Sequence, residues 1–451
     1  MTRQMHLSLN LTEYGRHDGA WRDPAADTSR IPNLAAYVHA VQWAEKGCFD
    51  QAFFADTPVH PWGRVLISPS RVDPLEMAAV LTEATERIGI ITTVSTTYNE
   101  PFDVARRGAA LSLLCGGRLG LNYVASSGDH VARNFGHPGQ LPHDERYVRS
   151  NEFLEVVTDL WARAATPTEP AEPLAHHGAF FDVEGSLDVH RPPLGRPIIV
   201  QAGSSEEGRD LAARWADAIY AAGSTIPRAQ EFYADIKRRA ADHGRDPDTV
   251  KVMLGICPFL GETQEEAEAL HARLDGYHAE GADTIGFLGT ILEADLSAYD
   301  PDGPLPLDEL PEDLAGIDAA GSSMGKLFRR MAAEEEITIR QLAHRAYVGG
   351  LGNMQFVATG TPEHVADVMQ EWFEAGTCDG FSLVAPSIGQ TIEAFVTHVV
   401  PILQERGLMR TGYEADTLAG HFGLETLGVP GTPSRAAGTG GTGGTDDEAA
   451  A

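Results

Sequence analysis

Residues 118–147 read RLGLNYVASSGDHVARNFGHPGQLPHDERY, and the interpretation of the whole chain starts from this stretch. The run at 119–125 is apolar and predicts a buried strand. It opens into a loop rich in Gly, Ser, Asn and His, and residues 142–144 (Pro-His-Asp) have the composition of a helix start. A buried strand that leads through a polar loop into a helix is typical of an active-site rim in α/β proteins.

The first turn of this predicted helix is a candidate anion site. His143 and Tyr147 are four residues apart, so their side chains project from one face of the helix. Unpaired N–H groups and the positive end of the helix dipole attract anions to a first turn. Arg146 and Arg149 lie close by and add positive charge. The pattern therefore predicts a place that could hold a phosphate group.

Seven further segments have the composition of buried strands, and helical patterns alternate with them along the chain. These segments are residues 5–11, 51–56, 88–98, 197–202, 218–222, 251–260 and 380–385. They are too apolar to be wet on one face, which favours parallel strands covered by helices. Eight strand–helix alternations predict an α/β fold, a (β/α)₈ TIM barrel with insertions, better than an open doubly wound sheet. The chemistry of such a barrel lies at the C-terminal ends of its strands.

The segments between these elements suggest how the chain is divided. We expect residues 1–429 to form a single barrel domain with insertions at about 165–196 and 281–342, where the alternation is interrupted. Residues 430–451 contain mainly Gly, Thr, Ala and acidic residues, which cannot bury enough apolar surface to offset the entropy of ordering. We predict that this tail is disordered.

Charge and cysteine content exclude several classes of protein. The formal net charge of −31 disfavours nucleic acids and anionic membranes as partners, because their phosphates would be repelled. No apolar run reaches membrane-spanning length and no basic, apolar leader opens the sequence. The four cysteines are scattered without metal-ligand spacing, which predicts small buried thiols. We expect a cytoplasmic protein that neither enters a membrane nor binds nucleic acid.

Polar residues at two predicted strand ends are candidates for the site. Asp56 closes an apolar strand, either as a cap of the strand-end turn or as a hydrogen-bond acceptor at the barrel mouth. Thr93, Ser95 and Thr97 alternate along the third strand, so their hydroxyl groups share one face. That face either points into the barrel or packs outward with its hydroxyl groups bonded locally.

Ser204 and Ser205 follow the fifth predicted barrel strand and precede a helix. Such serines are natural N-caps, and the same hydroxyl and N–H groups can also bind phosphate.

Sequence motifs of two other classes of enzyme are missing from the sequence. The first strand has no His-x-His pair, which argues against metal-dependent hydrolysis, and we expect no metal site. No G-x-S-x-G turn occurs, which argues against acyl-transfer hydrolysis.

Several ordered segments carry a family resemblance. These segments are FFAD (53–56), STTYNEPFDVARRGAALSLLCGGRLGLN (95–122), NFG (134–136), HDERY (143–147), EFLEVVTDLW (152–161), PIIVQAGSSEEGRDLAAR (197–214) and VVPILQERG (399–407). Together they resemble the bacterial-luciferase-like flavin monooxygenases over roughly residues 5–428. The most similar branch contains nitrilotriacetate monooxygenase component A, the dibenzothiophene-sulfone and long-chain alkane monooxygenases, and the matching component of pristinamycin synthase.

The resemblance implies a function and a set of cofactor contacts. It implies a two-component monooxygenase that uses FMNH₂, supplied by a separate NAD(P)H:flavin reductase, and O₂ to oxidise a small organic substrate, in a homo-oligomer (dimer or tetramer). Matched position by position, the FMN contacts are Asp56, Thr93, Thr97, His143, Tyr147, Ser204 and Ser205. No catalytic acid or base is assigned. The rim histidines that could serve as one, or could be ordinary surface residues, are His17, His60 and His137.

A missing motif favours the separate reductase, and two other functions remain open. The glycines at 349–352 and 438–444 do not form the strand–glycine–helix fingerprint of a dinucleotide site, so the chain should not reduce its own flavin. One alternative is a deazaflavin (F420)-dependent oxidoreductase on the same fold, which would transfer hydride without O₂. The other is a catalytically silent flavin-binding barrel.

Overall fold

A computed structural model describes residues 3–12, 14–17, 19–29, 32–56, 72–223, 225–279, 283–311, 319–348, 356–424 and 427. The loop predicted after Asp56, the glycines at 349–352, His60 and the tail predicted from residue 430 lie outside these residues. Within the described part, no helix is long and apolar enough to cross a bilayer.

The strands lie close to where the sequence predicts them. In chain order they are β1 (His6–Asn10), β2 (Gln51–Phe54), β3 (Gly89–Ser95), β4 (Leu119–Val124), β5 (Leu174–His177), β6 (Asp182–Gly185), β7 (Ile198–Gln201), β8 (Ala218–Ala221), β9 (Lys251–Leu260), β10 (Phe356–Gly360) and β11 (Gly380–Leu383). Eight of them pair in parallel in the order β11-β1-β2-β3-β4-β7-β8-β9, and β9 pairs with β11 to close the ring. The predicted (β/α)₈ TIM barrel is confirmed.

The described residues also form α-helices, most of which cover the outside of the barrel. They are α1 (Leu34–Lys46), α2 (Pro74–Glu83), α3 (Pro101–Leu114), α4 (Asp129–Asn134), α5 (His143–Arg163), α6 (Glu206–Trp215), α7 (Ile226–Asp242), α8 (Gln264–Ala279), α9 (Thr284–Leu292), α10 (Ala319–Glu334), α11 (Ile339–Val348), α12 (Pro362–Glu374), α13 (Ile388–Ala394), α14 (Val400–Glu405) and α15 (Leu418–His421). Helix α5 begins at the residue that the sequence predicts. The outward faces of the strands pack on most of these helices in one large apolar core, whereas α9, α10 and α11 pack together in a second apolar core.

Two strands that were predicted to carry site residues end earlier than predicted. Strand β2 ends at Phe54, so Asp56 lies after the strand and does not close it. Strand β3 ends at Ser95, so the prediction that Thr97 lies on this strand is wrong. The reason is local, because the Ser95 hydroxyl accepts hydrogen bonds from the backbone N–H groups of Thr97 and Tyr98, both at 3.2 Å. A serine that accepts from the next residues turns the chain out of the strand.

Strand β10 was not predicted. It pairs in parallel with the second half of β9, from Phe356 opposite Ile256 to Gly360 opposite Leu260. The first half of β9, residues 251–256, makes the barrel contacts with β8 and β11. The ten residues of β9 therefore pair with barrel strands in the first half of β9 and with the added strand β10 in its second half.

The N-terminal end of the barrel is closed by residues near the end of the described chain. Leu418 and Phe422, in and just after α15, pack against Phe53, Ile91 and Ile198 of the barrel interior. Sequence patterning did not predict α15, which is only four residues long. Closure of this end leaves the opposite, C-terminal end of the strands as the open side.

The interruption predicted at about 165–196 contains the antiparallel β5–β6 hairpin. Glu152 on α5 fastens the residues that connect its two strands. The residue is 8% exposed, and its carboxylate accepts hydrogen bonds from the backbone N–H groups of Ala179, Phe180 and Phe181. The ring Nε2 of His176 lies 3.2 Å from the same carboxylate. Burial opposes ionisation, but these hydrogen bonds prevail and hold the pKa of Glu152 below its usual value.

We expect Glu152→Gln to lower the free energy of unfolding at pH 7 by about 1–3 kcal/mol, the loss typical of hydrogen bonds to a charged group. Because the pKa is lowered in the folded protein, this stabilisation is fully present above the ordinary value of 4.5 and is lost as pH falls through the folded pKa. Urea unfolding of both proteins at pH 7 and at pH 3.5 measures the difference. An unchanged midpoint at pH 7 would contradict this assignment, and Glu172→Gln, at an exposed side chain, is the control.

Candidate active site

The predicted site residues lie at the open end of the barrel, and Thr93 is the most deeply placed of them. Its side chain points into the barrel, as does that of Ile91 two residues earlier on β3. The Thr93 hydroxyl donates to the carbonyl oxygen of Phe54 at 2.9 Å and accepts from Nδ2 of Asn122 at 3.1 Å. The alternative in which this hydroxyl packs outward is therefore wrong. The three residues join the ends of β2, β3 and β4.

The turn after β3 is fastened to α5. Thr96 contacts the hydroxyl of Ser150 on α5 at 2.6 Å, and the guanidinium of Arg149 donates to the carbonyl oxygen of Thr96. Ser95 accepts a 2.8 Å hydrogen bond from Ser126, which follows β4. Thr97, half-buried, is held between these contacts. The turn that carries it is thereby fixed against the same helix that carries His143 and Tyr147.

Arg146 on α5 completes this contact. The residue is 6% exposed, and its guanidinium donates to the carbonyl oxygens of Ala125 and Ser126, each at 3.2 Å. Among the described residues its Nε has no hydrogen-bond partner. His143, Arg146, Tyr147 and Ser150 follow the i, i+3, i+4, i+7 spacing of one helix face. That face is the one directed at the barrel mouth.

The first turn of α5 meets the loop between β7 and α6, and we call this meeting point the cradle: His143, Tyr147, Ser204, Ser205 and Gly208. The Ser205 hydroxyl caps α6 by accepting from the N–H of Gly208 at 3.1 Å. A Cβ atom placed on Gly208 would lie 3.1 Å from the Tyr147 hydroxyl oxygen, which shows how closely the two elements approach. The rings of His143 and Tyr147 lie side by side, with centroids 5.0 Å apart.

The cradle fits a phosphate group. Apart from the N–H that Ser205 caps, N–H groups of the first turn of α6 have no acceptor within the helix. The helix dipole adds positive potential at that point, and the Tyr147 and Ser204 hydroxyl groups can donate. Ser204 and His143 are exposed, so a ligand can reach them from solvent. Capping by Ser205 and binding of an anion are compatible, because they use different groups.

The remaining predicted contact, Asp56, lies at the same end of the barrel, immediately after β2, and is half-buried. The described structure therefore brings His143, Tyr147, Ser204 and Ser205 together at the cradle. It places Thr93 and Thr97 along the neighbouring β3 end and its turn.

The rim histidines differ in environment. His17 is buried, and its Nδ1 accepts from the N–H of Gly19 at 3.0 Å, so its Nε2 carries the proton and donates to Asp275 at 3.0 Å. Both ring nitrogens are therefore occupied. His137 is exposed, with its ring 6.0 Å from that of Tyr98. His271 on α8, which was not among the predicted rim histidines, stacks on Phe259 at 3.8 Å, and burial lowers its pKa although Asp275 acts in the opposite direction.

Aromatic side chains form a wall beside the mouth. Tyr98, after β3, stacks on Phe135, after α4, with centroids 4.3 Å apart and planes 6° from parallel. Burial raises the pKa of Tyr98, with an opposing contribution from Arg146. Phe135 remains 43% exposed. Sequence reasoning missed this wall because the two residues are far apart in the chain and belong to loops without periodic patterning.

No group of three or more His, Cys, Asp or Glu side chains among the described residues is arranged to hold a metal ion. Cys115, Cys257 and Cys378 are buried thiols, as predicted, whereas Cys48 is half-buried.

A closed parallel barrel covered by helices is the (β/α)₈ architecture, in which functional sites lie at the C-terminal ends of the strands. The family model described as luciferase-like monooxygenase matches residues 16–378. The chain belongs to the luciferase-like monooxygenase family.

Individual relatives agree with this assignment. N-acetyl-S-(2-succino)cysteine monooxygenase of Bacillus subtilis (strain 168) is 40% identical over 445 residues, covering 94% of this chain and 97% of the relative. Nitrilotriacetate monooxygenase component A of Aminobacter aminovorans is 36% identical over 448 residues, with the same coverage. A crystal structure of riboflavin lyase with modified FMN and riboflavin is similar with a TM-score of 0.78 at 28% identity, covering 94% of this chain and 96% of that one.

These findings confirm the predicted resemblance and branch. The predicted class of enzyme, a monooxygenase acting on a small organic molecule, agrees with the relatives.

Proposed function

We propose that this chain is the oxygenase component of a two-component system. It takes FMNH₂ from a separate NAD(P)H:flavin reductase and uses O₂ to oxidise a small organic substrate. The observation that carries the proposal is the cradle, where the first turns of α5 and α6 meet at the open end of the barrel with the Tyr147 hydroxyl against Gly208. The FMN in the riboflavin lyase structure supports flavin as the cofactor class.

The residues of this chain divide the work of holding the cofactor. His143, Tyr147 and the first turn of α6 would hold the phosphate, which leaves the flavin ring to extend toward β2, β3 and β4. There, the Thr93–Asn122 pair and Asp56 offer polar contacts to the ring edge. Reduced flavin supplies the electrons that activate O₂. The Tyr98–Phe135 wall narrows the mouth beside it, which helps to exclude water while the substrate is oxidised.

The substrate and the partners complete the proposal. The relatives from Bacillus subtilis and Aminobacter aminovorans are named for substrates that bear several carboxylate groups. A first assay panel would therefore hold N-acetyl-S-(2-succino)cysteine and nitrilotriacetate beside sulfones, amines and dihydropyrroles. We propose that the reductase diffuses freely and that the chain forms a homo-oligomer, a dimer or tetramer, in the cytoplasm.

We expect His143→Ala to weaken FMNH₂ binding by about 1–3 kcal/mol, the contribution of a hydrogen bond to a charged group. Anaerobic titration with photoreduced FMN and with photoreduced riboflavin, which lacks the phosphate, measures the effect. The loss should appear with FMNH₂ alone. The matched control is His39→Ala, since His39 pairs with Glu393 at similar exposure but far along the chain on α1. If a folded His143→Ala protein binds FMNH₂ as tightly as the wild type, His143 does not bind the phosphate.

A further inference from the structure

The cradle has an unfavourable feature for an anion. Glu206 and Glu207 both lie in the first turn of α6, directly after the serines that would meet the phosphate. Carboxylates at this position stabilise the helix through its dipole. They also repel a phosphate dianion that approaches the same turn. A phosphate site with two uncompensated carboxylates would bind weakly.

Each glutamate faces a basic side chain of a different helix. Glu207 lies 3.6 Å from Nδ1 of His143 on α5, with both side chains about two-fifths exposed. Glu206 lies 2.6 Å from Nη2 of Arg239 on α7. The Arg239 side chain is 14% exposed, whereas that of Glu206 is 72% exposed. The arginine is therefore the fixed member of this pair, and the glutamate is drawn toward α7.

Arg239 is fixed because Asp235 holds it one helical turn away. The Asp235 carboxylate is 2.9 Å from Nε of Arg239 and 3.2 Å from Nη1 of Arg209 on α6. Arg209 in turn donates through Nε to the carbonyl oxygen of Ser204 at 3.0 Å. Burial disfavours the charged carboxylate, but hydrogen bonds from the surrounding arginines prevail and lower the pKa of Asp235. One carboxylate thus connects both the Ser204 peptide and the Glu206 side chain to α7.

We propose that Asp235, Arg209 and Arg239 form a positioning network for the phosphate cradle. Arg239 neutralises Glu206 and draws it toward α7, and Arg209 holds the Ser204 peptide in place. None of the three needs to touch the flavin. The inference rests on the proposed function, because it presumes that the cradle receives the flavin phosphate. It assigns the network a role in discriminating phosphorylated from unphosphorylated flavin.

The test compares affinities for FMNH₂ and for reduced riboflavin, which share one ring system and differ in the phosphate. Arg239→Met should weaken FMNH₂ binding about three- to tenfold, as expected for a partly solvent-screened charge, and leave riboflavin binding unchanged. Glu206→Gln should bind FMNH₂ at least as tightly as the wild type. The double variant should return to within about twofold of the wild type, because the charge that Arg239 compensates is then gone.

The control variant is Arg238→Met. Arg238 also contacts Asp235, at 2.7 Å, and Asp242, at 2.6 Å, but both partners lie on α7. Its replacement should leave the ratio of the two affinities unchanged. Circular dichroism and thermal unfolding establish that each variant is folded. Glu206 is exposed, so Glu206→Gln should fold and give a result even if Arg239→Met does not.

The outcomes separate this inference from the proposed function. If the wild type binds FMNH₂ and reduced riboflavin equally, the cradle is not a phosphate site and the proposed function loses its central observation. If the wild type prefers FMNH₂ and Arg239→Met keeps that preference, the positioning role of the network is wrong. The assignment of the cradle as the phosphate site is then unaffected. Two other results also overturn the network. One is a double variant that binds FMNH₂ as weakly as Arg239→Met, and the other is a Glu206→Gln variant that binds FMNH₂ more than about threefold more weakly than the wild type. Either result means that Arg239 and Glu206 have a purely structural role.

Discussion

Gly208→Ala is expected to weaken FMNH₂ binding by about 10- to 100-fold, the range expected when two hydrogen bonds to a charged group are misaligned. A Cβ atom at this position would lie 3.0 Å from the Cα of Gly203, which is backbone and cannot swing aside. The same atom would lie 3.1 Å from the Tyr147 hydroxyl oxygen and 3.2 Å from Oγ of Ser205. The methyl group must therefore displace the Gly203 backbone, the Tyr147 hydroxyl and the Ser205 hydroxyl by a few tenths of an ångström, which misaligns the groups of the cradle.

The matched control for this change is Gly276→Ala. Gly276 also lies inside a helix, α8, but a Cβ atom there meets nothing within 4 Å. Its replacement should stabilise α8 by up to about 1 kcal/mol and leave flavin affinity unchanged. Isothermal titration of both variants with photoreduced FMN measures the difference. Wild-type affinity in a folded Gly208→Ala protein would mean that flavin binds elsewhere on the barrel.

Asp217→Ala is expected to lower the free energy of unfolding by about 3–5 kcal/mol, the loss typical when one member of a buried ion pair is removed. Asp217 and Arg196 are each 4% exposed by side chain, and their atoms meet at 2.6 and 2.9 Å. The Asp217 carboxylate also accepts from the N–H of Ile199 on β7 at 2.9 Å. Removing the Asp217 carboxylate leaves the buried Arg196 guanidinium without this ion-pair partner. Arg196 lies just before β7, the strand that leads to the cradle.

The exposed pair of Arg106 and Asp188 provides the comparison. It has similar geometry, at 2.8 Å and 3.2 Å, but its side chains are 51% and 66% exposed. Asp188→Ala should therefore leave the free energy of unfolding nearly unchanged, because solvent screens an exposed ion pair. Urea unfolding at pH 7 measures both variants. Equal effects of the two replacements would show that burial does not determine the strength of the Asp217 pair.

The barrel could be predicted from the sequence because its strands are buried on both faces. Runs such as residues 197–202 and 251–260 are mostly apolar, and such runs can be recognised in the sequence without knowing which strands lie beside them. Helix α5 was predicted from its first residue for a similar reason, since Pro142 precedes a regular helical pattern. Local chemistry determined these elements, and tertiary contacts did not override it.

The parts that were missed depend on contacts between distant residues. Thr97 was predicted on β3, but the Ser95 hydroxyl turns the chain before it. Strand β10 exists because β9 extends past the barrel, and its own five residues carry no decisive pattern. The network around Asp235 joins α6 and α7 through side chains, and spacing along the sequence does not reveal such pairs.

The most direct test of the central claim is a single turnover with photochemically reduced FMN, without any reductase, under ¹⁸O₂. We predict that this chain transfers one ¹⁸O atom to a substrate of the panel, and that NADH or NADPH with FMN gives no product until an unrelated flavin reductase is added. An anaerobic sample should give no product. Product formed by hydride transfer from a reduced deazaflavin without O₂, or rapid oxidation of NAD(P)H by this chain alone, would contradict the account.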